Sequence, residues 1–144
     1  MKALTHLEVN ELVYHWYKKL DVHAPVEEVA PLLASEGLEM RFPEATLKSI
    51  DEFKDWYKRV THLFFDEVHN MKMLNIEIEG ETATVKLVVN WQAHIWNPPD
   101  AKSKWLGFDA IQTWTVKRDS KTGKAVIATY TVDALDPMEG SASL

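Results

Sequence analysis

The chain has 144 residues, 46% of them apolar, and a formal net charge of −6. That is the length of one domain, with enough apolar residues to bury a core without staples. There is no cysteine, which excludes disulfides, thiolate metal sites and a cysteine nucleophile, and the interspersed negative charge argues against nucleic acid and anionic lipid as partners. The first twenty residues carry Glu8 and Glu11 where a secretion signal would need an apolar run. No stretch approaches the roughly 18 to 20 apolar residues that span a bilayer. The expectation is a soluble, cytoplasmic protein.

The apolar period is helical up to about residue 66 and close to two after it. A first helix is predicted from Thr5 to Leu20. Thr5 and Glu8 form a capping box, and Leu12, Trp16 and Leu20, with Val9 and Val13, form its apolar stripe. Asp21 and His23 end it. Pro25 starts a shorter helix through Leu33, broken near Pro31. Leu38 to Phe42 alternates and stops at Pro43, as a short edge strand does. Ser49 and Glu52 read as a second capping box, opening a helix that carries Ile50, Phe53, Trp56, Tyr57, Val60, Leu63 and Phe64. Four strands follow, over His69–Glu79, Thr82–Trp96, Trp105–Arg118 and Ala125–Asp133, with turns at Gly80-Glu81 and Ser120–Gly123 and a loop at Asn97–Lys104. The tail from Asp136, rich in small residues, is expected to be disordered.

Sequential strands with short turns pair antiparallel, and the lone early strand must join the same sheet at an edge. A straight strand of this length spans about 45 Å. Twice the radius of gyration of such a domain is only roughly 29 Å. The sheet must therefore curve, leaving a concave side for the helices to cover. The fold class is α+β: a curved antiparallel sheet, mixed at its edge, wrapped around three N-terminal helices.

Four segments carry a family resemblance: the aromatic first helix ending in Leu20-Asp21, the strand Leu38-Glu39-Met40-Arg41-Phe42-Pro43, the helix Ser49 to Phe64, and the corners Gly80-Glu81-Thr82-Ala83-Thr84-Val85 and Gly123-Lys124-Ala125-Val126. In order and spacing the chain resembles the nuclear transport factor 2-like superfamily, with its SnoaL-like polyketide cyclases and cystatin-like α+β barrel. The resemblance implies one cone-shaped domain over residues 1–136, a tail over 137–144, a pocket between sheet and helices, and a homodimer. The family includes isomerases, dehydratases, cyclases, epoxide hydrolases and non-catalytic binders, so the resemblance implies a pocket and not a reaction.

For such a pocket the ligand-binding candidates are Trp16, Phe42, Trp56, Trp91, Gln112 and Trp114. Core packing accounts for any one of the aromatics. Their concentration around a hollow favours a flat, largely apolar ligand with a few oxygens. The family's acid/base groups are an Asp, His or Tyr projecting into the cone, and the catalytic candidates here are Tyr17, His62, His94 and Tyr130. His94 lies opposite the apolar face of its strand unless a bulge reverses it. Where the isomerases of the family place their base, this chain has Arg41 and Phe42, a departure that argues against ketosteroid-type proton shuttling. His62 and His69, with Asp66 and Glu67 between, match no standard ligand spacing, and neither metal nor cofactor is expected. With no G-x-S-x-G elbow or phosphate-cradling glycine loop, two readings stand: a cofactor-free lyase, isomerase or cyclase for a small cyclic or aromatic molecule, or a non-catalytic ligand-binding or dimerisation module. Val88, Trp96 and Ile111 would leave an apolar sheet face to be paired in a homodimer.

Overall fold

A computed structural model describes all 144 residues. Helix α1 spans His6–Asp21, α2 spans Val26–Val29 and runs into a 3-10 turn at Ala30–Leu32, and α3 spans Ile50–Leu63. The strands are β1 (Glu39–Arg41), β2 (Thr46–Leu47), β3 (Phe64–Glu79), β4 (Thr82–Ile95), β5 (Lys104–Arg118) and β6 (Ala125–Pro137). They form one open sheet in the order β2-β1-β6-β5-β4-β3. All neighbours are antiparallel except β1 and β6, which pair in parallel through Glu39–Arg41. The sheet is thus mixed, as expected, but its edge is the unforeseen two-residue β2 and not β1. No helix is long and apolar enough to cross a membrane.

Local chemistry explains the helix ends. Thr5 and Glu8 close a full capping box on α1. Ser49 caps α3 by accepting from the Glu52 N–H, while the Glu52 carboxylate turns to the Lys48 N–H, so only half of the expected box forms. Proline at position 31 converts the end of the second helix into a tighter turn, where its missing N–H costs no α-helical bond.

The core lies between the helices and the inner face of the sheet. Val9, Leu12, Val13, Trp16 and Tyr17 of α1 and Phe53 and Tyr57 of α3 are buried there. They form one cluster with Ala83, Val85, Leu87 and Val89, all at odd-numbered positions of β4. Each large apolar side chain buried in this way contributes about 2 kcal/mol. Near the far end, the buried Asp119 carboxylate accepts from Ser35 N–H and Oγ–H and from the N–H groups of Lys121 and Thr122. These bonds, led by the Ser35 N–H, hold its pKa below the usual carboxylate value.

Bulges interrupt the sheet on β3 between Phe65 and Val68 and between Met71 and Met73, and at the β5–β6 pair around Ile111/Gln112 and Thr115/Val116. They decide which side chains face inward. On β3 the inward residues are Leu74, Ile76 and Ile78 toward the turn. Beyond Lys72, the extra residue, the parity reverses and Met71, His69 and Glu67 turn inward instead. Strand β3 also starts five residues earlier than predicted. Its broken alternation at Phe64–Val68 hides the strand from a period-two reading.

The C-terminal residues are not loose, contrary to the expectation from composition. The Met138 N–H donates to Gly107 O and the Ala142 N–H to Trp105 O, and Ser141 Oγ accepts from the Gly107 N–H. The tail is held along β5 because Gly107 leaves no side chain in the way: a Cβ there would meet Trp105 and the Met138 Sδ at 2.4 to 2.9 Å.

Candidate functional site

Helices α1 and α3, the Phe42–Glu44 turn and the inner faces of β3 to β6 enclose a cavity of about 360 Å3. Most of its lining is apolar, and its polar side chains include Glu67, His69, Gln112 and Tyr130. The size suits a ligand of one or two rings.

His69 is the centre of the polar arrangement. Its Nδ1 lies 2.6 Å from Asp21 Oδ1, the one side-chain hydrogen bond that the ring makes. A carboxylate accepting from Nδ1–H holds the ring in the tautomer whose Nε2 carries a free lone pair. His69 lines the cavity, so that lone pair belongs to a group positioned to take a proton from a bound molecule. Asp21 is the last residue of α1, where the helix dipole disfavours a negative charge by about 0.3–1 kcal/mol. The bond to His69 offsets that local cost.

Below the cavity floor, the Tyr17 hydroxyl donates to Gln112 Oε1 at 2.7 Å and the Trp114 Nε1–H donates to the same oxygen at 3.0 Å. The amide oxygen is thereby saturated. Gln112 and Tyr130 both line the cavity, and the Tyr130 hydroxyl lies beside the Tyr17 hydroxyl and the Gln112 amide. Burial raises the pKa of Tyr130, and raises that of Tyr17 well above the ordinary value, with Tyr130 adding to the effect at Tyr17. Both hydroxyls therefore stay neutral donors.

A second imidazole–carboxylate pair stands beside the first. Glu67 Oε1 accepts from Trp91 Nε1–H at 3.0 Å, and Glu67 Oε2 is bonded to His23 Nε2. The Tyr57 hydroxyl donates to Ala24 O at 2.6 Å, and burial, aided by the Glu67 charge, pushes its pKa up to about 12.

Of the predicted residues, the structure gathers Phe42, Trp56, Trp91, Gln112 and Tyr130 in the cavity wall. Phe42 and Trp56 stack at a centroid distance of 4.2 Å, and the Trp56 Nε1–H is held by Glu44. Tyr17, Trp16 and Trp114 form the layer beneath and do not line the cavity. His62 is exposed on α3, with Nδ1 bonded to Lys58 O, and stands outside the site. His94 faces away from it: β4 and β5 pair without a register shift, so no bulge brings it inward, and it stacks on Phe65 across the outer face. His62 and His69 do not meet, and no three His, Asp or Glu side chains cluster as metal ligands would. Sequence reasoning missed His69, Asp21 and Glu67. An acid at the end of a helix, against the dipole, was the one local sign of Asp21.

A family model described as a SnoaL-like domain matches residues 1–130. The chain belongs to the SnoaL-like domain family. Its fold is similar to solved structures that share little sequence with it. One is a protein of unknown function with a cystatin-like fold from Nostoc punctiforme, 18% identical over 100% of both chains with a TM-score of 0.72. Another is hexachlorocyclohexane dehydrochlorinase LinA-type3 from Novosphingobium barchaimii, 13% identical over 96% of this chain and 92% of that one, TM-score 0.75. A third is a candidate dehydratase of the NTF2-like family from Streptomyces avermitilis, 14% identical over 92% of this chain and 95% of that one, TM-score 0.74. At these identities the likeness is one of fold. No curated protein matches the chain.

Proposed function

We propose that this SnoaL-like domain is a cofactor-free acid/base enzyme of the lyase or isomerase type, acting on a small, flat, largely apolar ring compound that carries an oxygen. The observation that carries this reading is the His69–Asp21 pair at 2.6 Å on the wall of an apolar cavity. His69 abstracts a proton from carbon. The Tyr130 hydroxyl and the Gln112 amide donate to the oxygen on which negative charge develops, where donors in an apolar surround act most strongly. A non-catalytic ligand carrier needs the cavity and its aromatic walls but has no use for an oriented imidazole. The names of the dehydrochlorinase and dehydratase neighbours point to the same kind of chemistry on the same scaffold.

The test is the ring opening of 5-nitrobenzisoxazole, a flat probe that needs only a base to remove its acidic ring proton, followed by the absorbance of the phenolate released. The expected kcat/KM exceeds the rate constant of free imidazole by at least about 10²-fold. A rate no higher than that of imidazole overturns the enzyme reading and leaves the binder.

We also propose that the outer face of the sheet pairs with a second copy in the cytoplasm. Met73 and Ile111 present 49% and 37% of their surface there, and register places them on either side of Val88 on the face away from the helices. Such a patch on a monomer favours association. Sedimentation should give twice the mass of the chain, and Met73→Glu with Ile111→Glu should return it to one. A wild-type monomer at high concentration sinks the pairing.

A further inference from the structure

The two imidazole–carboxylate pairs are mounted in opposite senses. In the first, the imidazole of His69 lines the cavity and the carboxylate of Asp21 lines a cleft on the outer surface. In the second, the carboxylate of Glu67 lines the cavity and the imidazole of His23 lines that same cleft. Glu67 reaches both spaces. Its side chain is 12% exposed and that of His23 is 27% exposed, so the pair joins the cavity to bulk water. Glu67 and His69 are two residues apart on one face of β3, which separates their backbones by about 7 Å. A ring substrate spans that interval with one edge at each group.

We propose that Glu67, supplied by His23, is the proton donor that complements His69, so that the cavity serves eliminations in which an oxygen leaves from a carbon or nitrogen near the acidic C–H. This rests on the acid/base reading of the cavity. In the step, His69 Nε2 takes the proton from carbon and the C–H electron pair becomes a new π bond. The bond to the leaving oxygen breaks with its electrons on oxygen, and that oxygen takes a proton from the Glu67 carboxyl. His23 passes its proton to Glu67 and regains one from water in the outer cleft, and His69 releases the proton that it took. A carboxylate needed only to brace the wall would require the Trp91 bond alone. The His23 bond ties this one to a ring that reaches the outer cleft. The other ionisable groups around the pair are Asp21 on α1, Asp66 beside it on β3, and Glu28 and the Tyr57 hydroxyl on the covering helices. None of these lines both the cavity and the cleft, as Glu67 does.

The experiment is a leaving-group series of benzisoxazoles from the 5-nitro compound to the unsubstituted parent, whose phenolate is a much poorer leaving group. A proton donor matters little for the first and greatly for the last. Glu67→Gln keeps the shape and the Trp91 bond, and His23→Gln changes a partly exposed residue, so one of the two remains informative if the other folds poorly. Both variants should lose at least about tenfold in kcat for the parent compound and less than about twofold for the 5-nitro compound, steepening the dependence on leaving group. Probe affinity, read from quenching of tryptophan fluorescence, should hold. An equal loss across the series, no loss, or a loss of affinity alone overturns the proposal and leaves Glu67 a wall residue. Absence of turnover by the wild type removes the base reading and this one together, whereas a flat series in an active enzyme removes only this one.

Discussion

His69→Ala should lower kcat/KM for 5-nitrobenzisoxazole by about 10³-fold, within the range that a positioned base contributes. That corresponds to about 4 kcal/mol of lost transition-state stabilisation. Affinity for the probe should change by less than about twofold, because the surrounding apolar wall does the holding. Asp21→Asn separates orientation from presence. An amide can offer its NH2 to Nδ1, which drives the ring proton to Nε2 and removes the lone pair from the cavity side. The expected loss is about 10²-fold in kcat with KM unchanged. Stopped-flow kinetics and fluorescence binding on the same preparations measure both quantities. If the two variants bind the probe as weakly as they turn it over, the pair is a structural tie between α1 and β3 and not a base with its orienter.

Trp16→Ala should be the most destabilising single truncation. Trp16 is fully buried and packs against Phe53, Trp114 and Tyr130 at ring separations of 5.6 to 6.4 Å. Emptying that volume costs about 3–5 kcal/mol, a fall of about 10 °C in Tm for a domain of this size. The Trp16 Nε1–H is buried without an acceptor, an arrangement that itself costs about 1–3 kcal/mol. Trp16→Phe keeps an aromatic ring among the same neighbours and drops that donor, so it should cost less than about 1.5 kcal/mol. Urea unfolding of the three proteins gives the order. A phenylalanine variant as unstable as the alanine one would mean that the indole nitrogen has a partner and that its loss matters.

The fold was legible because its signals are local and redundant. Thr5 with Glu8, Ser49, Pro25 and the odd-numbered apolar residues of β4 each fix an element end or a face, and the strand lengths alone demand curvature. The walls of the cavity followed from aromatic content. The chemistry did not, because it depends on parity. His94 could be assigned to the outer face from alternation, since β4 has no bulge. His69 and Glu67 could not be assigned to the inner one, since a bulge in β3 is invisible to pattern reading. Asp21 meets His69 across 48 residues of chain, and nothing near either residue announces the other. The tail was misjudged for a similar reason: its small residues look unstructured, yet Gly107, 34 residues before Ser141, makes room for them.

The extra residue at Lys72 has a consequence for how such sites change over time. Losing that one position would leave Glu67, His69 and every cavity aromatic present by name, yet would rotate the outer half of β3 by a half-turn and offer Val68 and Asn70 to the guest in their place. An insertion or deletion at this point therefore exchanges one set of functional groups for another at a stroke, without altering the scaffold. Kin of this chain that are one residue shorter here would carry their reactive groups on the alternate positions, and matching letters column by column would pair residues that never occupy the same space.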